Sequence, residues 1–218
     1  MAEVKFCGLT RAADAQAAAS LGAAYVGVVF AGGPRMLDAA AAGAVLDGAR
    51  GAAPGTPARV GVFGNQTAEQ ILALASQARL DVVQLHGRSD AATVAVLRAR
   101  FDGEIWRVVR LGGDFDGGAM RSAAADVDAV VVDALVPGTL GGSGVAVDWV
   151  RLAAALDAAG RPSRLVLAGG LRPDNVAMAI GVVAPDVVDV SSGIESAAGI
   201  KDHAKMRAFA LAAARGGR

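Results

Sequence analysis

The sequence predicts an α/β protein folded as a single closed (β/α)8 barrel, the TIM-barrel class, over residues 1–218. Three observations carry this reading. Eight short β-branched runs recur, alanine-rich helix-like segments separate them, and most starts fall about 20–35 residues apart, room for a strand, a crossover helix and two loops. The runs are 4–7, 25–30, 59–63, 81–85, 104–109, 129–133, 164–168 and 187–190. Strands alternating with helices imply a parallel sheet, and eight repeats suit closure better than an open edge. An open doubly wound sheet is the rival. It would carry a glycine-rich dinucleotide turn after its first strand, and neither G-x-G-x-x-G nor G-x-x-x-x-G-K-[ST] occurs.

The helical intervals have their own start and stop signals. Thr10 precedes 11–21 and Gly22 follows, which reads as an N-cap and a C′ glycine. Thr67 with Gln70 reads as a capping box opening 68–77. Ser89 precedes 90–100, and Asp148 precedes 149–159. The glycine-rich segment between Gly112 and Ala125 has the poorest helix signal, and 51–57 is the one linker-like loop.

Composition narrows the function. Lys+Arg 21 balance Asp+Glu 21, so no basic field exists to hold nucleic acid or anionic lipid. A single cysteine excludes an internal disulfide framework and a multi-cysteine metal knuckle. Hydrophobic residues at 54% with aromatics at only 4% imply an aliphatic, alanine-rich core rather than disorder. The N-terminus MAEVKFCGLT bears Glu3 and Lys5 and has no long apolar run, so a secretory leader is not expected. A cytoplasmic protein with a free thiol follows.

Side chains alternate along a strand, so a period of two separates the barrel interior from the helix-facing side. Val4 and Phe6 belong under helices, which turns Lys5 and Cys7 inward. The same test turns Gln84 and His86 inward and leaves Val83 and Leu85 outside. It places Val131 and Asp133 inside, and Asp189 and Ser191 inside. Cys7, His86, Asp133 and Asp189 therefore converge near the C-terminal ends of four strands, the face where barrels of this kind do chemistry. Singly, each has a bland reading: a buried thiol, a turn aspartate, a histidine satisfying a loop carbonyl.

Two glycine loops suggest the phosphate-binding type of barrel. LAGG at 167–170 closes the seventh run and SSG at 191–193 closes the eighth. Loops after strands seven and eight recur as phosphate sites, and a short helix after the second would aim N–H groups at the anion. Gly169, Gly170, Ser192 and Gly193 are the candidate donors, with Gly142 of the GGSG at 141–144 as a further one.

With these residues placed, the chain resembles the phosphoribosylanthranilate isomerase family of tryptophan biosynthesis. The matching segments are KFCGLT at 5–10, VGVVF followed by PR at 34–35, QLHG at 84–87 and VVD at 131–133. GGSG and DW at 148–149, LAGGLRPDNV at 167–176, DVSSGIE at 189–195 and GIKD at 199–202 complete them. They cover nearly the whole chain in the family's order. The resemblance implies a cofactor-free, metal-free Amadori rearrangement of N-(5-phosphoribosyl)anthranilate, with Cys7 as general base and Asp133 as general acid. It also implies Arg35 as the residue that meets the anthranilate carboxylate, with Gln84, His86 and Asp189 binding and orienting substrate. Lys5 is a candidate for lowering the Cys7 pKa by its charge. The partner expected is this small phosphosugar substrate, with no nucleic acid and no membrane. A monomer is expected, with a homodimer as the alternative. One departure is Val145, where a lysine or another polar residue would be expected after GGSG.

Rival phosphosugar barrels fit less well. A metal-dependent pentulose-phosphate epimerase needs about two histidines and two carboxylates at strand ends, and His203 lies in the C-terminal helical region. The histidine-pathway ProFAR isomerase carries an aspartate where this chain has Cys7. A non-catalytic phosphometabolite-binding barrel would keep the glycine loops but have no use for the inward acid and thiol.

Overall fold

A computed structural model describes residues 1–52, 55–87, 90–110, 117–133 and 149–217. Eight parallel strands close into a barrel in sequence order, β1 (Glu3–Phe6), β2 (Tyr25–Val29), β3 (Ala58–Phe63), β4 (Val82–Leu85), β5 (Glu104–Arg110), β6 (Ala129–Asp133), β7 (Leu165–Ala168) and β8 (Val187–Val190). Each lies within one residue of the expected bounds. The ring is sealed by β1 pairing with β8, with Lys5 beside Asp189 in register. Helices α1 (Ala12–Ser20), α2 (Ala39–Asp47), α3 (Ala68–Ala78), α4 (Ala91–Arg100), α5 (Gly117–Ala124), α6 (Trp149–Ala159) and α7 (Val176–Val183) cross between strands. Beyond β8 come a 3₁₀ turn (Ser192–Ile194), a hairpin of β9 (Glu195–Ala197) and β10 (Ile200–Lys201), and α8 (His203–Gly216). None of the described helices is long and apolar enough to cross a membrane.

Period two governs the packing. Phe6, Val83, Leu85, Val130, Val132, Val188 and Val190 join the layer between strands and helices. Inside the barrel, Tyr25, Val60, Val82, Trp106, Val131 and Val187 form a separate cluster, with Trp106 edge-on to Tyr25 at 4.9 Å between ring centroids. This plug fills the lower barrel, so the polar inward residues above it have one direction in which to open.

Two caps differ from the sequence expectation. Thr10 does not cap α1: Arg11 occupies the N-cap position without a side-chain cap, and the Thr10 hydroxyl donates to the Gly199 carbonyl instead. A long-range partner has outcompeted the local one. At α4 the cap is Asp90, whose carboxylate accepts from the Thr93 N–H at 2.8 Å; Ser89 lies outside the described residues, as does Asp148. The Thr67–Gln70 capping box is formed as expected. Gly22 follows α1 with φ +75°, the left-handed backbone a C′ glycine supplies.

Candidate active site

The C-terminal ends of the strands open into a cavity of about 460 Å³. Cys7, Gln84, His86, Asp133 and Asp189 all line it, as their inward parity requires. Arg35 lines one wall, and Gly169, Gly170, Ser192 and Gly193 line another. Gly142 and Val145 lie outside the described residues.

Cys7 stands one residue past β1. Its N–H donates to the Val190 carbonyl at 2.9 Å, which fixes the thiol on the β1–β8 seam. Beneath it Lys5 Nζ donates to Asp189 Oδ2 at 2.7 Å, both side chains buried. Burial pushes the Cys7 thiol above its ordinary 9.0, and Lys5 pulls it back only in part. The expected influence of Lys5 thus holds in sign and is too small in size, because its charge already faces Asp189. Burial pulls the Lys5 ammonium down, but the Asp189 carboxylate more than restores it, and its pKa lies above the ordinary 10.5.

Asp133 ends β6, in register with Arg110 of β5 and Ala168 of β7. His86 follows β4, its N–H donating to the Phe63 carbonyl at 2.8 Å. Burial, then the Arg110 charge, hold its imidazole below the usual histidine value, so it is neutral at pH 7. Two buried acceptors on the cavity wall, Gln84 Oε1 and Asp189 Oδ1, have no hydrogen-bond partner among the described residues. Left unsatisfied, a buried acceptor costs about 1–3 kcal/mol. A ligand hydroxyl or N–H would relieve both.

The loops after β7 and β8 lean on each other. Gly169 and Gly170 have φ of +89° and +67°, and a Cβ on Gly193 would stand 2.0 Å from the Leu171 carbonyl oxygen. Asn175 braces the first loop: its Nδ2 donates to the Gly170 carbonyl at 3.0 Å and its Oδ1 accepts from the Arg172 N–H at 2.8 Å. The short helix expected after β8 is a single 3₁₀ turn.

Arg35 is not alone. Its guanidinium forks onto Glu195, Nε to Oε1 at 2.7 Å and Nη2 to Oε2 at 2.6 Å. Lys201 Nζ donates to the same Glu195 Oε1 at 2.8 Å and to the Ser191 carbonyl at 3.1 Å. Burial pushes the Glu195 carboxyl up, but the hydrogen bonds from Arg35 and Lys201 outweigh it and hold its pKa at about 2. Burial draws Lys201 below the ordinary lysine value, with Glu195 restoring part of the loss. Glu195 and Lys201 sit in the DVSSGIE and GIKD segments, yet sequence reasoning gave them no role. They face each other only because β9 and β10 reverse within a few residues.

Comparison with known proteins agrees with this geometry. The family model described as N-(5'phosphoribosyl)anthranilate (PRA) isomerase matches residues 4–212. The N-(5'-phosphoribosyl)anthranilate isomerase of Acidithiobacillus ferrooxidans is 41% identical over 210 residues, 96% of each chain. That of Roseiflexus castenholzii is 42% identical over 217 residues, 96% of this chain and 97% of its own. Among solved structures, phosphoribosyl anthranilate isomerase from Thermotoga maritima superposes with a TM-score of 0.83 at 34% identity, covering 98% of this chain and 99% of that one. Another phosphoribosyl anthranilate isomerase, solved in complex with reduced 1-(o-carboxyphenylamino)-1-deoxyribulose 5-phosphate, gives a TM-score of 0.80 at 32% identity, covering 98% and 99%. On a match that spans nearly the whole of both partners, the chain belongs to the N-(5'-phosphoribosyl)anthranilate isomerase family.

Proposed function

We propose that this isomerase of tryptophan biosynthesis converts N-(5-phosphoribosyl)anthranilate into 1-(2-carboxyphenylamino)-1-deoxyribulose 5-phosphate, with Cys7 as general base and Asp133 as general acid. The observation that carries the reading is that thiol and carboxyl line one cavity together with the glycine loops and Arg35. The bound molecule in the solved relative is the reduced form of this product.

The chemistry follows from the positions. Asp133 delivers a proton to the ribose ring oxygen as the C1′–O bond breaks, and the anilino nitrogen's electron pair makes the Schiff base. Cys7 as thiolate then takes the C2′ proton. The C–H electron pair becomes the C1′=C2′ double bond of an enolamine and neutralises the iminium nitrogen. Tautomerisation gives the C2′ ketone and a C1′ methylene, so atoms and electrons balance with no redox partner. The reactive form holds one proton between the two groups, on the carboxyl rather than on the sulfur. The backbone of Gly169, Gly170, Ser192 and Gly193 holds the phosphate. Gln84 Oε1 and Asp189 Oδ1 accept from sugar hydroxyls, Arg35 meets the carboxylate as a charge-assisted donor, and neutral His86 orients the substrate by a single ring N–H.

Steady-state kinetics test the assignment. Cys7→Ala and Asp133→Asn each lower kcat by at least about 10²-fold, the usual general acid–base contribution; near-wild-type turnover in either removes its role. Arg35→Ala chiefly raises KM. Wild type complements an auxotroph lacking this step and Cys7→Ala does not. The chain is proposed to act as a monomer. Sedimentation distinguishes this from the alternative, a homodimer like the dimeric state named for the Thermotoga maritima relative; a dimer mass overturns the monomer.

A further inference from the structure

We propose that Glu195 is a positioning residue that aims Arg35 at the substrate carboxylate, with Lys201 as the counter-charge that leaves the pair net positive. The proposal rests on Arg35 being the carboxylate reader.

Arg35 needs an external brace. Its loop after β2 runs through Gly32 and Gly33, with φ of +99° and +85°, and supplies little stiffness of its own. The side chain is 26% exposed, whereas Glu195 is 6% exposed. A fork–fork pair fixes the plane of the guanidinium as well as its place. The fork uses Nε and Nη2; Nη1 has no partner among the described residues, while Arg35 lines the cavity. Its stem crosses directly over Gly8, where a Cβ would stand 2.6 Å from Arg35 Cδ. The guanidinium is thus held beside the residue that follows Cys7.

The brace is itself anchored. Glu195 Oε1 accepts from the Gly199 N–H at 3.2 Å as well as from Lys201. The hairpin carrying both is tied to α1 by the Thr10 hydroxyl on the Gly199 carbonyl and by Arg11 Nη2 on the Lys201 carbonyl at 2.9 Å. Arg11 in turn forks onto the buried Asp14 at 2.9 and 2.7 Å. This chain of contacts leads from the first crossover helix to the cavity wall.

Charge decides what the brace is for. Arg35 paired with Glu195 alone is neutral and has no net attraction for an anion. Lys201, its side chain fully buried, adds the positive charge back. An arrangement that merely latched the hairpin to the loop would need only the neutral pair.

The test measures a preference. Calorimetry on the whole chain compares the reduced product analogue with its counterpart built on aniline, which lacks the carboxylate. Wild type favours the carboxylate by about 10²-fold, as a charge-assisted contact does, and Arg35→Ala abolishes the preference. Glu195→Gln cuts it about tenfold, and Arg35→Ala/Glu195→Gln is no worse than Arg35→Ala alone. A structural latch would instead weaken both analogues alike, leaving the ratio at its wild-type value and overturning the proposal. If Arg35→Ala itself keeps the preference, the underlying reading of Arg35 fails. If Arg35→Ala abolishes it and Glu195→Gln does not move it, the positioning role alone fails. Should Glu195→Gln not fold, Glu195→Asp takes its place. It keeps the charge beside Lys201 but withdraws the carboxylate from the fork, and the same drop is expected.

Discussion

The floor and the rim of the cavity are both built on buried ion pairs, yet they leave the site with opposite electrostatic results. On the floor, Lys5 and Asp189 cancel, and the thiol above them remains protonated because burial outweighs what charge Lys5 has left to offer. On the rim, Arg35 and Lys201 share one carboxylate and a positive charge survives. A cancelled pair gives a rigid polar floor without a field. An uncancelled triad gives a field with a direction. Under the proposed roles, the base is kept in reserve while the anion is attracted, and the two tasks fall to elements distant in sequence.

The contrast is broken most severely at the floor. Lys5→Met leaves Asp189 charged and unpaired in a buried position, which costs about 3–5 kcal/mol of stability. Urea unfolding at pH 7 reads this directly, and Lys5→Met/Asp189→Asn recovers most of the loss. A cost below about 1 kcal/mol would mean that water reaches the pair and that the floor is not the dry one described.

Cys7 sharpens the comparison by pH. The proposed reactive form keeps one proton between thiol and carboxyl, so kcat/KM falls once the site has lost it. Because burial raises the thiol, the alkaline limb lies above the ordinary cysteine value of 9.0. A limb below that value would show Lys5 overriding burial. Cys7→Ser should displace the limb.

The smallest effect belongs to the rim. The folded-state pKa of Glu195 is lowered from 4.5 to about 2, so its contribution to stability is present above 4.5 and lost as pH falls through about 2. The stability gap between wild type and Glu195→Gln, measured by thermal melts, is therefore widest at neutral pH and closes across that window. A gap unchanged at pH 3 would show that the carboxylate gains nothing from its two cations.

What the sequence reveals divides along the same line. The strands are legible because β-branched runs and period two are local signals, and they suffice to turn Gln84, His86, Asp133 and Asp189 into the cavity. Asp189 inside and Lys5 inside are both legible; their pairing is not, since it depends on which strand closes the ring. Thr10 shows the cost of local reasoning, because the cap position is readable and the stronger partner at Gly199 is not. Glu195 and Lys201 are hidden for another reason. Strands of three and two residues carry no periodicity, and the contact from Glu195 to Arg35 spans 160 positions.

The seam between β1 and β8 has a consequence for assembly. The first and last strands supply the thiol, its cationic neighbour and the glycine-containing loop at 191–193 beside them, so none of these meets its partners until the ends of the chain meet. Turnover regained during refolding should report the docking of the final strand and lag behind the recovery of helical signal. A stable open intermediate would be richly structured and inert.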